Sequence, residues 1–167
     1  MPKIKDIILI AGNGNMPIFL SKAASASDTR VVAIAVKGEA EPCLKELVDK
    51  IYWVELGEGR RVIDIMKKER IQHATMAGKI TKLTIFKQTF KMDEVAKDIL
   101  KRVANRKDST ILSVVADRLK QEGVELIDSS LFLQSFMTER GVFTKAKPSR
   151  KQNEDIKFGF KTVSYTH

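Results

Sequence analysis

Cysteine occurs once, at Cys43, and histidine twice, at His73 and His167. A lone thiol cannot close an internal disulfide, which excludes a stapled secreted module and suits a reducing compartment. With so few thiol and imidazole donors, no cluster has the composition or spacing of a zinc site. Long apolar runs are missing too. The run at residues 7–11, behind Lys3 and Lys5, is too short for a signal-peptide core, and Gly and Asn follow it rather than a small-residue cleavage site. No other stretch approaches a membrane span, so the cytoplasm is the expected location. Neither a Gly-x-Ser-x-Gly elbow nor a Walker loop occurs. Aromatics make up 7% of the chain, and only Phe86 and Phe90 fall in its most basic stretch. A stacking platform for single-stranded nucleic acid is therefore not indicated, and no specific nucleic-acid partner is expected.

What is present fits a soluble α/β domain. The 167 residues are 43% hydrophobic and 31% charged, enough for one cored domain, or one domain and part of a second. The net charge of +9 is concentrated: residues 60–107 hold 14 Lys and Arg against 5 acidic residues, and the remainder of the chain is balanced. Such a stretch attracts anions such as phosphorylated ligands or an acidic membrane surface, and a solvated helix face has the same composition.

Short apolar runs at 7–11 and 31–36 read as buried strands of a parallel sheet, and 51–56 and 74–77 read as further strands, the last closed by Gly78. Between them, 18–27 (opened by Pro17), a short segment from Pro42 to Asp49, and 60–69 read as helices. This alternation predicts a Rossmann-like parallel sheet flanked by helices, with the turns after the strands along one edge, where ligands bind. Further helices are expected at 93–106 and from an Asp108 or Ser109 cap to Gly123, then a strand at 124–127. Beyond Gly141 the chain turns polar. The expected division is an N-terminal domain at 1–130 and, at 131–167, a connecting segment that starts a second domain, giving a helical extension toward the C-terminus.

Three segments could carry chemistry. Gly12-Asn13-Gly14-Asn15-Met16-Pro17 joins a strand to a helix, where glycines admit a phosphate and free N–H groups bind it. Pro17 replaces the third glycine of a dinucleotide fingerprint, and Lys37 stands where an acidic ribose ligand would be, which disfavours NAD and leaves a phosphate or sugar-phosphate. A tight turn with positive φ explains the same residues. Gly78-Lys79-Ile80-Thr81-Lys82 should share that edge, with a lysine to neutralise phosphate, or it is an ordinary connection. Asp128-Ser129-Ser130 could hold a cation or a sugar, though Asp before Ser-Ser is above all a capping sequence. His73, next to a buried strand, reads as structural.

Taken together, Leu9 to Pro17, Gly38-Glu39, Met76-Ala77-Gly78 with Lys82, Val115-Ala116-Asp117, Gly123, Asp128-Ser129, Phe132-Leu133, Gly141-Val142-Phe143-Thr144 and Asp155 to Gly159 resemble, in order and spacing, the UDP-2,3-diacylglucosamine pyrophosphatases of the lipid A pathway (the LpxI type). Leu83 and Ser130 depart from that pattern, which has Pro and Thr there. The resemblance implies a cytosolic enzyme working at the anionic inner-membrane surface of Gram-negative bacteria. It would hydrolyse UDP-2,3-diacylglucosamine to UMP and 2,3-diacylglucosamine 1-phosphate (lipid X), assisted by a divalent cation, magnesium. It implies a ligand-facing set of Gly12, Asn13, Gly14, Gly78 and Lys82, with Asp128, Ser129 and Thr144 near a domain junction. It also implies a second domain that supplies the catalytic aspartate. The likeness fades after Val163, so no catalytic residue is carried over. A stand-alone, non-catalytic module binding a nucleotide or an anionic lipid is the alternative.

Overall fold

The computed structural model describes residues 4–81, 91–105, 111–138 and 141–164. Five strands form one parallel sheet: β1 (Asp6–Ala11), β2 (Arg30–Val36), β3 (Lys50–Val54), β4 (His73–Ala77) and β5 (Glu125–Leu126), in the order β3-β2-β1-β4-β5. The helices are α1 (Met16–Ala26), α2 (Gly59–Glu69), α3 (Glu94–Asn105), α4 (Ile111–Gln121) and α5 (Arg150–Ser164), with a 3-10 turn at Pro42–Glu46. The α/β architecture is the one expected from the alternating pattern. The chain divides into two compact units, 1–136 and 137–167.

β1 lies at the centre because it is apolar on both faces. It pairs with β2 from Asp6↔Arg30 to Ala11↔Ala35 and with β4 from Ile8↔Ala74 to Ala11↔Ala77. Ile7, Leu9 and Ala11 point to one face with Leu20 and Ala24 of α1 and Leu44 of the 3-10 turn. Ile8 points to the other, with Val32, Ile34, Met66 and Leu119. Two layers of helix therefore cover one sheet, as period-2 alternation within a doubly buried strand requires.

Local chemistry sets the boundaries. Pro17 sits in the first turn of α1, and Arg70 adopts a left-handed φ of 56° to end α2. Gly123, at φ 80°, ends α4 as expected, with Val124 N–H bonded to the Leu119 carbonyl at 3.0 Å. β3 stops at Val54, two residues short of the expected 56, because Gly57 (φ 98°) turns the chain. β5 pairs over only two residues, against the four expected.

Asp93 ties two helix starts together. Its Oδ1 accepts from Ala96 N–H at 2.9 Å and caps α3. Its Oδ2 accepts from Arg60 N–H at 2.6 Å, in the first turn of α2, where Glu58 makes no side-chain cap. Asp93→Ala should therefore destabilise the fold by about 1–2 kcal/mol, and Asp93→Asn by much less. Urea unfolding checks this; equal stability of the Ala variant and the parent would refute the double cap.

The second unit holds the helical extension expected toward the C-terminus. The polar segment after Pro148 is a helix, α5, exposed along its length, including Ile156 at 58% and Phe158 at 74%. A reciprocal capping box begins it: Ser149 Oγ accepts from Gln152 N–H (3.3 Å), and Gln152 Oε1 accepts from Ser149 N–H (2.8 Å). Asp108 and Ser109, the expected caps for α4, lie outside the described residues. No helix among the described residues is long and apolar enough to cross a membrane.

Candidate functional site

All five strands run parallel, so their C-terminal ends share one edge. There the segment after β1 meets the segment after β4. Gly12 N–H donates to the Ala77 carbonyl (2.9 Å), Asn13 N–H to the Lys79 carbonyl (2.8 Å), and Lys79 N–H to the Asn13 carbonyl (3.1 Å). The two loops thus extend the sheet by an antiparallel bridge, Asn13↔Lys79. Glycine is required at both crossing points. A Cβ on Gly12 would stand 2.6 Å from the Lys79 carbonyl oxygen. One on Gly78, at φ 88°, would stand 2.7 Å from the Gly12 carbonyl carbon. Gly14, at φ 101°, has no atom within 4 Å of such a Cβ; there the backbone conformation, not space, favours glycine.

A third loop joins these two through Glu39, which follows β2 and is buried at 2% exposure. Its Oε1 accepts from Thr81 N–H (3.1 Å) and Thr81 Oγ1 (2.8 Å), and its backbone carbonyl accepts from Asn13 Nδ2 (3.3 Å). Glu39 is the component that motif reading passed over except as part of a pattern. The signal was an acid three residues after the apolar run of β2. A buried carboxylate at such a position is held by hydrogen bonds; Thr81 supplies both of these, while the Asn13 side chain holds the Glu39 backbone.

Of the residues expected to face a ligand, Gly12, Asn13, Gly14 and Gly78 are brought together here. Lys82 lies outside the described residues. Asp128 follows β5 on the same edge, where its Oδ1 accepts from Ser130 N–H at 2.8 Å and caps the 3-10 turn Ser129–Leu131. That backbone bond, then the Ser130 side chain, holds the Asp128 carboxyl below its usual range. Ser129 opens the turn. Thr144 belongs to the second unit, where its Oγ1 donates to the Ala146 carbonyl at 2.8 Å. His73 is the half-buried first residue of β4.

Beneath the edge, on the α2 side of the sheet, lies a cavity of about 370 Å³. Ile10, Ile34 and Met76 come to it from the sheet, Val62 from α2, Ile99 from α3 and Val115 from α4.

No three His, Cys, Asp or Glu side chains converge among the described residues. Asp128 spends one carboxylate oxygen on its own turn, and Glu39 spends one on Thr81. These residues do not make a magnesium site.

Residues 6–136 match the family model described as the LpxI N-terminal domain. No curated protein matches the sequence. Solved structures that resemble it include the biotin carboxylase domain of Hydrogenobacter thermophilus 2-oxoglutarate carboxylase, at 15% identity and a TM-score of 0.39 over 47% of this chain and 18% of that one. The biotin carboxylase domain of a single-chain bacterial carboxylase gives 12% and 0.46 over 93% of this chain and 34% of that one. The biotin carboxylase subunit of pyruvate carboxylase gives 12% and 0.45 over 77% and 24%. The chain thus spans about a third or less of the length of these carboxylases.

Proposed function

The chain belongs to the LpxI N-terminal domain family, which is related to lipid A biosynthesis, and on that premise we propose that it is the substrate-binding part of a UDP-2,3-diacylglucosamine pyrophosphatase. The reaction is hydrolysis of the substrate's pyrophosphate to UMP and lipid X. The family match over residues 6–136 carries this reading. The joined loops at the strand ends support it, because Gly12, Asn13, Gly14 and Gly78 offer backbone rather than bulky side chains to a sugar-phosphate. The basic stretch supports a working place at the anionic inner-membrane surface. Magnesium is proposed as the assisting ion on resemblance alone. It finds no ligand set among the described residues, so no step is assigned to it.

On this reading the strand-end loops of these 167 residues bind the substrate. Calorimetric titration with UDP-2,3-diacylglucosamine should give saturable binding, which Gly14→Asp weakens by about ten-fold through charge repulsion. Absence of binding by the parent chain would overturn the proposal.

A second reading is a non-catalytic module for a nucleotide or an anionic lipid. The glycine-bearing loops joined at the strand ends would serve it equally, since they offer backbone N–H groups to any phosphate. Equal affinity for UDP and for the whole substrate would select it.

A further inference from the structure

We infer that Glu39 is a positioning residue for ligand binding at the strand ends: it holds the loops after β1, β2 and β4 in one arrangement before a ligand arrives. At 2% exposure its side chain is out of reach of a ligand, so it acts through its neighbours. Two bonds to Oε1 come from one residue: Thr81 donates its N–H at 3.1 Å and its hydroxyl at 2.8 Å. Bonds from both donors to one charged oxygen fix the Thr81 backbone and its side-chain rotamer together. A carboxylate is costly to bury, and the next residue, Ala40, belongs to the apolar core. Packing alone would be served by an apolar side chain at position 39. The carboxylate adds a grip on a loop 42 residues away.

The links between the loops close on themselves. Asn13 Nδ2 donates to the Glu39 backbone carbonyl at 3.3 Å, which ties the loop after β1 to the loop after β2. Asn13 and Lys79 exchange a pair of backbone hydrogen bonds, which ties the loop after β1 to the loop after β4. Glu39 and Thr81 supply the remaining side, between the loops after β2 and β4. Cutting that side leaves the segment from Lys79 to Thr81 anchored at one end of the triangle only. Loops that order themselves around a ligand lose affinity to the freedom given up, and a loop already held loses less. Glu39 thus sets where Gly14 and Gly78 stand without touching what they meet. Sites carried on loops need this kind of support to keep their geometry.

This role rests on the reading that the strand-end loops bind the substrate, and the experiment separates the two. Calorimetric titration of UDP-2,3-diacylglucosamine into the 167-residue chain measures affinity. Nitrogen-15 relaxation measures loop order without ligand. Glu39→Ala removes the acceptor and should weaken binding by about ten-fold; Thr81→Val removes only the hydroxyl donor and should weaken it by about three-fold. The double variant should be no weaker than Glu39→Ala by more than about two-fold, because the two changes share one contact. Order parameters at positions 79 and 81 should fall from about 0.85 toward about 0.6 in both single variants, while those of β1 stay. Thr81→Ser returns the hydroxyl and should restore affinity and order. Glu69→Gln removes ion pairs with Lys50 and Arg30 at the opposite edge of the sheet, and should leave affinity unchanged. Where Glu39→Ala loses its circular dichroism spectrum, the two Thr81 variants carry the test. The role is overturned if folded Thr81→Val keeps the affinity and loop order of the parent, if Thr81→Ser restores neither, or if Glu69→Gln weakens binding as much as Glu39→Ala. If the parent binds no UDP-2,3-diacylglucosamine, the pyrophosphatase reading falls, and the order parameters alone decide whether Glu39 holds the loops.

Discussion

Gly78→Ala should destabilise the chain by about 2–4 kcal/mol. The estimate joins the cost of a left-handed conformation at a non-glycine residue with that of overpacking against rigid backbone. At φ 88° the new methyl would stand 2.7 Å from the Gly12 carbonyl carbon and 2.8 Å from the Asn13 carbonyl oxygen. Neither atom can swing aside as a side-chain tip would. The Asn13↔Lys79 bridge is the contact most directly strained. Gly14→Ala provides the comparison: its φ is also positive, but its Cβ would meet open space, so it should bear the conformational cost alone. Chemical unfolding of the two variants separates the terms. If both lose the same stability, the close approach of the loops contributes nothing and the argument for glycine at position 78 fails.

The second large effect is pH-dependent and lies at the opposite edge of the sheet. Glu69 ends α2, where a negative charge is unfavourable to the helix dipole. Its side chain is only 5% exposed and is held by Lys50 Nζ at 2.7 Å, Arg30 Nη2 at 2.9 Å and the Tyr52 hydroxyl. The Lys50 hydrogen bond, followed by that of Tyr52, lowers the Glu69 carboxyl to about 2. Lys50 is correspondingly raised, chiefly by the same bond. The unfolded carboxyl titrates near its ordinary value of about 4.3. The folded pKa is the lower one, so the stabilisation is complete above the unfolded value and is lost as pH falls from there toward 2. Glu69→Gln should cost about 1–3 kcal/mol at neutral pH, since it removes charge-assisted hydrogen bonds. It should also flatten the fall in stability between pH 5 and pH 3. Thermal unfolding across that window gives the answer. An unchanged slope in the variant would show that other carboxylates govern acid stability.

The edge and the core differ in how far their chemistry could be read from residue order. Strands β1, β2 and β4 are buried on both faces, so they stand out as unbroken apolar runs, and their helices follow from spacing. The Gly12 and Gly78 loops were legible as features of one edge, because parallel strands leave no other place for them. Their contact was not, since it depends on two backbones separated by 66 positions coming together in register. Glu39 was obscured for the same reason: its partner Thr81 is 42 residues away. The cavity draws its walls from the sheet and three helices, and no local pattern encodes a volume. Helix α5 was legible only in outline, as a helical extension without bounds. Its Ser149-Arg150-Lys151-Gln152 start carries a capping box in plain view, but the segment lacks a broad apolar stripe, and the eye follows apolar periodicity first.

The strand order has a consequence for synthesis. The first and second strands can pair as soon as residue 36 has left the ribosome, whereas the other edge of the first strand must wait for residue 77. At ordinary translation rates that interval is roughly 2–8 s, during which the most apolar strand of the chain offers an open row of amides and carbonyls to any neighbour. Slow codons or heavy expression would lengthen or crowd that interval. Misassembly of this protein would therefore begin at the centre of its sheet, on a surface that the finished fold conceals completely.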